Sequence, residues 1–213
     1  MPQPLPAPTS PLMSTPTDRA LFDQARTGNT EAFGQLVRRH QARIYRVALH
    51  MLRDKAAAED IAQETFVRAF RAMQSFDGRS EPYTWIYRIA VNLALNAIRS
   101  RKVATPAADV DDPRLESALI SRNGEDPSRE ATRKEMYGAL CEAIDSLSES
   151  LRTTLILVCV DGVSHEDAAA ILGAPEGTIA WRVHEARRKL REFLVTRGFD
   201  PEVSSARAGK GLP

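Results

Sequence analysis

Apolar residues recur at three- and four-residue spacings through most of the chain, and no stretch alternates convincingly in the manner of a half-buried strand. The pattern predicts helices throughout. From Thr30, read as a cap, Phe33, Leu36, Val37, Ile44, Val47, Ala48 and Met51 make one inner face. Over residues 56–73, AAAEDIAQETFVRAFRAM, the apolar stripe is Ala62, Phe66, Ala69, Phe70 and Met73, which leaves Glu59, Asp60, Gln63, Glu64 and Arg68 on the opposite side. A third helix follows the turn QSFDGRS, with Ser80 as its cap, Pro82 in its first turn and Ile86, Ile89, Leu93 and Ala97 as its core stripe.

The polar face of that third helix carries chemistry. Arg88, Asn92, Asn96 and Arg99 form a ladder of donors and acceptors along one side, and Tyr83, Trp85 and Tyr87 crowd its start. Cations, amides and planar rings are the groups that hold phosphates and stack on unpaired bases. The same residues also fit a plain alternative, with Trp85 and one tyrosine in the core and the ladder merely solvated. The residues by themselves leave both readings open.

The C-terminal part is more specific. In VSHEDAAAILGAPEGTIAWRVHEARRKL, Ser164 and Asp167 form a capping box, Ala168, Ile171 and Leu172 bury one side of a short helix, and Gly173 ends it. A second helix begins near Pro175 to Gly177, with Ile179, Val183, Ala186, Leu190 and Phe193 inside. A small residue at Ala169, a glycine turn and the apolar Ile179 lock are the pattern of a helix-turn-helix. The inner stripe turns Glu176, Thr178, Trp181, Arg182, His184 and Glu185 outward or to the flanks, as candidates for contacts at base edges. Arg187, Arg188 and Arg191 are candidates for phosphates. His40, His50 and His165 read as ordinary surface or boundary residues.

The helical period lapses over residues 104–129, ATPAADVDDPRLESALISRNGEDPSR, where three prolines, a glycine and many acids predict a flexible linker. The proline-rich start and the last fifteen residues, FDPEVSSARAGKGLP, read as tails. The expected organisation is therefore all-α. A tail over 1–19 precedes a helical domain over 20–102, an acidic linker over 103–131, a second helical domain over 132–197 and a tail over 198–213.

Charge supports two binding bodies. The net charge of +1 resolves into a strong excess of Lys and Arg over residues 38–102, an acidic 104–130 and a basic 174–197. Cys141 and Cys159 are the two cysteines, and they have neither C-x-x-C spacing nor an obvious His partner, so no zinc site or disulfide framework is encoded. No apolar run approaches membrane-spanning length and the N-terminus lacks signal-peptide regions, so the expected address is the cytoplasm, without membrane insertion. No phosphate loop, metal spacing or nucleophile with base points to an enzyme, and no cofactor is expected.

Three stretches together, AAAEDIAQETFVRAFRAMQSF, YTWIYRIAVNLALNAIRSR and LSESLRTTLILVCVDGVSHEDAAAILGAPEGTIAWRVHEARRKLRE, resemble the extracytoplasmic-function sigma factors, the compact group of the bacterial sigma-70 family. The resemblance covers about residues 20–102 and 132–195. It implies sigma region 2 and sigma region 4 on either side of the linker, in a subunit that binds core RNA polymerase, directs it to promoters and helps open the duplex. Carried over by motif, Glu59, Asp60, Gln63, Glu64 and Arg68 match the face that docks on the clamp helices of the largest polymerase subunit. Ser75, Phe76 and Asp77 match the minus-10 base pocket, Arg88, Asn92, Asn96 and Arg99 match the helix that holds the non-template strand, and the outward residues 176–191 match the minus-35 reader. The chain departs from the family at Glu81-Pro82, where small or apolar residues are expected. The resemblance also implies a cognate anti-sigma factor. Two other classes compete. A decoy that binds polymerase without DNA does not need the basic GTIAWRVHEARRKLR, and a dimeric repressor leaves residues 56–100 unexplained.

Overall fold

The computed structural model describes residues 15–104 and 127–199, and all regular elements among them are helical. The helices are α1 (Asp18–Arg26), α2 (Thr30–Leu52), α3 (Lys55–Ala72), α4 (Pro82–Ala104), α5 (Pro127–Ser146), α6 (Glu149–Leu155), α7 (His165–Leu172) and α8 (Glu176–Thr196). A 3₁₀ turn, Met73–Ser75, follows α3, and a π-turn, Ile156–Val160, ends α6.

Each start has a local cause. Thr17 and Asn29 cap α1 and α2 by accepting from the amides of Ala20 and Ala32, so the cap of α2 is Asn29 and not Thr30, which is already helical. Asp54 caps α3 through the Ala57 amide. Pro82 is the first residue of α4, and the Glu81 carbonyl accepts from Trp85, which places the boundary one residue beyond Ser80. Two expected segment ends also move. Asp18, assigned to the tail, opens α1 and binds both Arg39 (2.9 Å) and His40 (2.7 Å). Helix α4 runs to Ala104 and α5 begins at Pro127, a favoured first position, so both ends of the expected linker are helical. The remaining tail and linker residues lie outside the described ones.

Helices α1 to α4 form one body, with α2 packed on α1, α3 and α4 and with Phe22, Leu36, Ile44, Val47 and Ile86 fully enclosed. Helix α4 is buried on a second stripe as well: Thr84, Tyr87, Val91 and Ala94 join the expected Ile86 and Leu93. Ile89 and Ala97, expected in the core, are partly buried. In the second body α8 packs against α5, α6 and α7. Leu147, Leu151, Leu155 and Ala186 make a small core there, whereas Ile156, Leu157, Val163, Ala168, Ile171 and Ile179 belong to one continuous core with the first body.

The Asp54 cap gives a direct test. Hydrogen bonds from the Ala57 amide and then from Arg101 hold its carboxyl below the ordinary range. A depressed folded value means that its contribution is present above the usual carboxylate range and fades as pH falls through the lowered value. Asp54→Ala is expected to cost about 1 kcal/mol in denaturant unfolding at neutral pH, with the difference shrinking in acid.

Candidate nucleic-acid interface

Region 83–99 was open to two readings, and its aromatics divide between them. Tyr87 is fully buried. Trp85 is half-buried, packed edge-on against Phe22 and tilted against Phe76, with one side left to a cleft between α3 and α4. That cleft has a volume of about 350 Å³ and is lined by Arg68, Ser75, Trp85, Ile89, Asn92 and Asn96, among others. An aromatic wall, two amides and a guanidinium around one cleft are groups that can stack on a base, bond its edges and offset charge.

Of the loop residues expected at the base pocket, Ser75 is at the cleft, with its hydroxyl donating to the Ala72 carbonyl (2.7 Å). Asp77 is exposed and turns its carboxylate back on the Arg79 amide. Phe76 is corrected: it is buried against Phe22 and Trp85, with Arg19 over its ring, so it supports the loop from beneath and offers no surface to a base. The physical reason is that the extended Phe76 follows the 3₁₀ turn and drops its ring into the end of the bundle. Arg88, Asn92 and Asn96 are exposed in line. Arg99, expected in the same ladder, is bonded to Glu149 of the second body (2.7 Å), and that carboxylate raises its pKa.

Along α3, Glu59, Asp60 and Gln63 are exposed, while Glu64 accepts from Arg68 at 2.6 Å. Arg68 thus joins this face to the cleft. The pattern missed two members of the face. Val67 and Phe70, 41% and 47% exposed, continue Asp60 and Gln63 at spacings of three and four. The spacing puts Phe70 in the core, but it is only half covered, with its ring in an edge-to-face contact with Phe33. Two exposed apolar side chains beside a polar stripe are groups that a protein partner can bury.

The helix-turn-helix is built as the spacing implied. Ser164 accepts from the Asp167 amide (3.0 Å), and Gly173 closes α7 in the left-handed conformation at φ +61°. Ile179, Val183 and Ala186 are buried, whereas Leu190 and Phe193 are only partly so. Trp181 is 60% exposed on the outer face, which excludes a packing role within the described residues. Glu176, His184, Arg187 and Arg191 are exposed, and Thr178, Arg182 and Glu185 are at the flanks. Arg188 bridges Glu185 and Glu192, an arrangement that raises its own pKa and holds the Glu185 carboxyl down. Its charge is therefore largely balanced within the helix. Arg187 leans on the Cys159 sulfur (3.3 Å).

Comparison with known proteins agrees with this geometry. Residues 36–103 match the family model for sigma-70 region 2, and residues 137–190 match that for sigma-70 region 4. The chain is 34% identical to the RNA polymerase sigma-H factor of Pseudomonas aeruginosa, over 86% of this chain and 96% of that protein. It is 34% identical to the ECF RNA polymerase sigma-E factor of Escherichia coli K12, over 82% and 92%. Among solved structures it resembles CnrH in complex with the cytosolic domain of CnrY, with a TM-score of 0.63, 28% identity and coverage of 84% and 97%. It also resembles the sigma factor RpoE from Bartonella quintana in complex with the anti-sigma factor NepR, with a TM-score of 0.56, 25% identity and coverage of 76% and 96%. Two helical bodies on one chain that match regions 2 and 4 define the class of sigma factors. This chain belongs to the extracytoplasmic-function group of the sigma-70 family.

Proposed function

We propose that the chain binds core RNA polymerase and directs it to promoters by reading a minus-10 element with residues 20–102 and a minus-35 element with residues 132–197. The observation that carries this reading is the presence in one chain of the Trp85–Asn92–Asn96–Arg68 cleft and the exposed outer face of α8. The α3 stripe from Glu59 to Phe70 docks on the clamp helices of the largest polymerase subunit. The cleft captures an unstacked non-template base, an event whose cost of a few kcal/mol the contacts must offset. Helix α8 enters the major groove with Thr178, Trp181, Arg182 and His184 toward the bases.

The catalytic chemistry belongs to the polymerase, and the chain acts in the cytoplasm. Among the described residues no helix is long and apolar enough to cross a membrane. Two modules on one chain, both placed by polymerase, make the second DNA contact effectively intramolecular, raising affinity by roughly 10²–10⁴-fold when the geometry fits. The bound state of the Bartonella quintana relative supports regulation by an anti-sigma factor.

The balanced charge on Arg188 sharpens the phosphate assignment to Arg187 and Arg191. Arg191→Ala is expected to weaken upstream DNA binding by the holoenzyme and to lower the slope of log affinity against log salt by about 1. Arg188→Ala should leave that slope nearly unchanged. Equal slopes for the two variants would contradict the assignment. The function itself is tested by gel filtration with purified core polymerase: co-elution is expected, and persistent separate elution would overturn it.

A further inference from the structure

Among the described residues Trp181 is the most exposed of the large apolar side chains, at 60%, and its indole has no ring contact and no hydrogen bond. A single exposed ring needs no explanation by itself. Its place does. Trp181 stands in the second turn of α8, opposite the buried Ile179, Val183 and Ala186, on the part of the helix that a helix-turn-helix lays along base edges.

The surroundings of the ring are open. Neighbours on one face of a helix come three and four positions away, which here are Gly177, Thr178, His184 and Glu185. Nothing lies within 4 Å of the point where a Cβ on Gly177 would sit, so a base edge can approach the helix beside the ring. One turn on, both oxygens of Glu185 already accept from Arg188, at 2.7 and 2.8 Å. That carboxylate is therefore engaged. The indole itself offers a flat apolar face, one donor at Nε1 and no acceptor.

The major groove sorts bases by such groups. Thymine presents its C5 methyl next to the O4 acceptor, whereas cytosine presents an N4 donor and no methyl. Guanine shows two acceptors without an apolar group, which suits the neighbouring Arg182, and adenine shows a donor that an indole leaves unmet. Thymine alone matches a ring face and a donor together. A protein partner is the other use of an exposed tryptophan, but protein-binding centres group large apolar side chains, and none of the four neighbours is one.

We propose, on the minus-35 reading of α8 given above, that Trp181 selects thymine in the upstream element, with its ring against the C5 methyl and Nε1–H toward O4. It supplies a preference for thymine over cytosine that the purely donating Arg182 does not.

The test changes the DNA as well as the protein. Duplexes are selected from a random pool by the full chain, with and without core polymerase. Each thymine of the selected upstream element is then replaced in turn by deoxyuridine, which removes the methyl and keeps every hydrogen-bonding group. Wild-type binding is expected to fall about three- to fivefold at one thymine or at two adjacent ones, the loss of one buried methyl. Trp181→Ala should bind the thymine and deoxyuridine duplexes equally, and Trp181→Phe, which keeps a flat ring, should retain the penalty. Cytosine at the same position should weaken wild-type binding further, and 5-methylcytosine should recover part of that loss in the wild type but not in Trp181→Ala. Both variants alter only an exposed side chain, so their circular dichroism should match the wild type. An upstream element without thymine, deoxyuridine tolerated at every position, or an unchanged penalty in Trp181→Ala would each overturn thymine selection. An unchanged penalty together with lost polymerase binding would assign the ring to a protein contact instead. Specific binding without initiation would count against the sigma-factor reading, with the deoxyuridine scan still deciding Trp181, and no selected duplex from either form would overturn both.

Discussion

Replacing Asp60 with arginine is expected to lower affinity for core polymerase by roughly 30-fold or more while leaving the helix content of the chain unchanged. Asp60 is exposed at the middle of α3, one turn from Gln63 and in line with Val67 and Phe70. It lies outside the core, so the fold has little to lose. A basic partner surface has much to lose, because a like-charge contact at an interface costs several kcal/mol, whereas rim charges mostly alter association rates. Pull-down at several salt concentrations separates these cases. A loss that persists at high salt places Asp60 near the apolar centre formed by Val67 and Phe70, and unchanged binding at every salt removes α3 from the polymerase interface.

The second large effect is expected at Arg182. It lies at the flank of the outer face of α8, one residue beyond the exposed Trp181 and one turn from Thr178 and Glu185. An arginine placed in the major groove by an N-terminal helical turn contributes about 1–3 kcal/mol of base discrimination. Arg182→Ala should therefore weaken recognition of the upstream element roughly 10–100-fold, and core binding should persist because the α3 face is remote in sequence and unaltered. Footprinting of the holoenzyme would show upstream protection lost and downstream opening reduced but present. Loss of core binding instead would move Arg182 out of the DNA interface.

The elements were readable where one face of a helix is buried and the other is wet. Ile179, Val183 and Ala186 lie inside as their spacing required, and Gly173 takes the left-handed backbone that only a turn needs. The face of α3 was legible as polar, but its apolar end was not, because Phe70 keeps helical phase with Phe66 and Met73 while lying at the edge of the bundle. Helix α4 was harder. It is buried on two sides, and the second of them, with Thr84, Tyr87, Val91 and Ala94, lies outside the single core stripe that the spacing predicts. His50 reads as a surface or boundary histidine, and its meeting with Asp161 across 111 positions has no local signal. Phe76 failed for the opposite reason, since a motif fixes a residue's place in a loop but not whether its ring points to solvent or to Phe22 and Trp85.

Run-off transcription on genomic fragments, with purified core polymerase and 5′-end mapping of the products, tests the central claim most directly. The expected result is a set of discrete start sites that depend on the chain, share upstream and downstream sequence elements, and lose the upstream preference with Arg182→Ala. Transcripts without fixed starts, or the same starts from core polymerase alone, would contradict it.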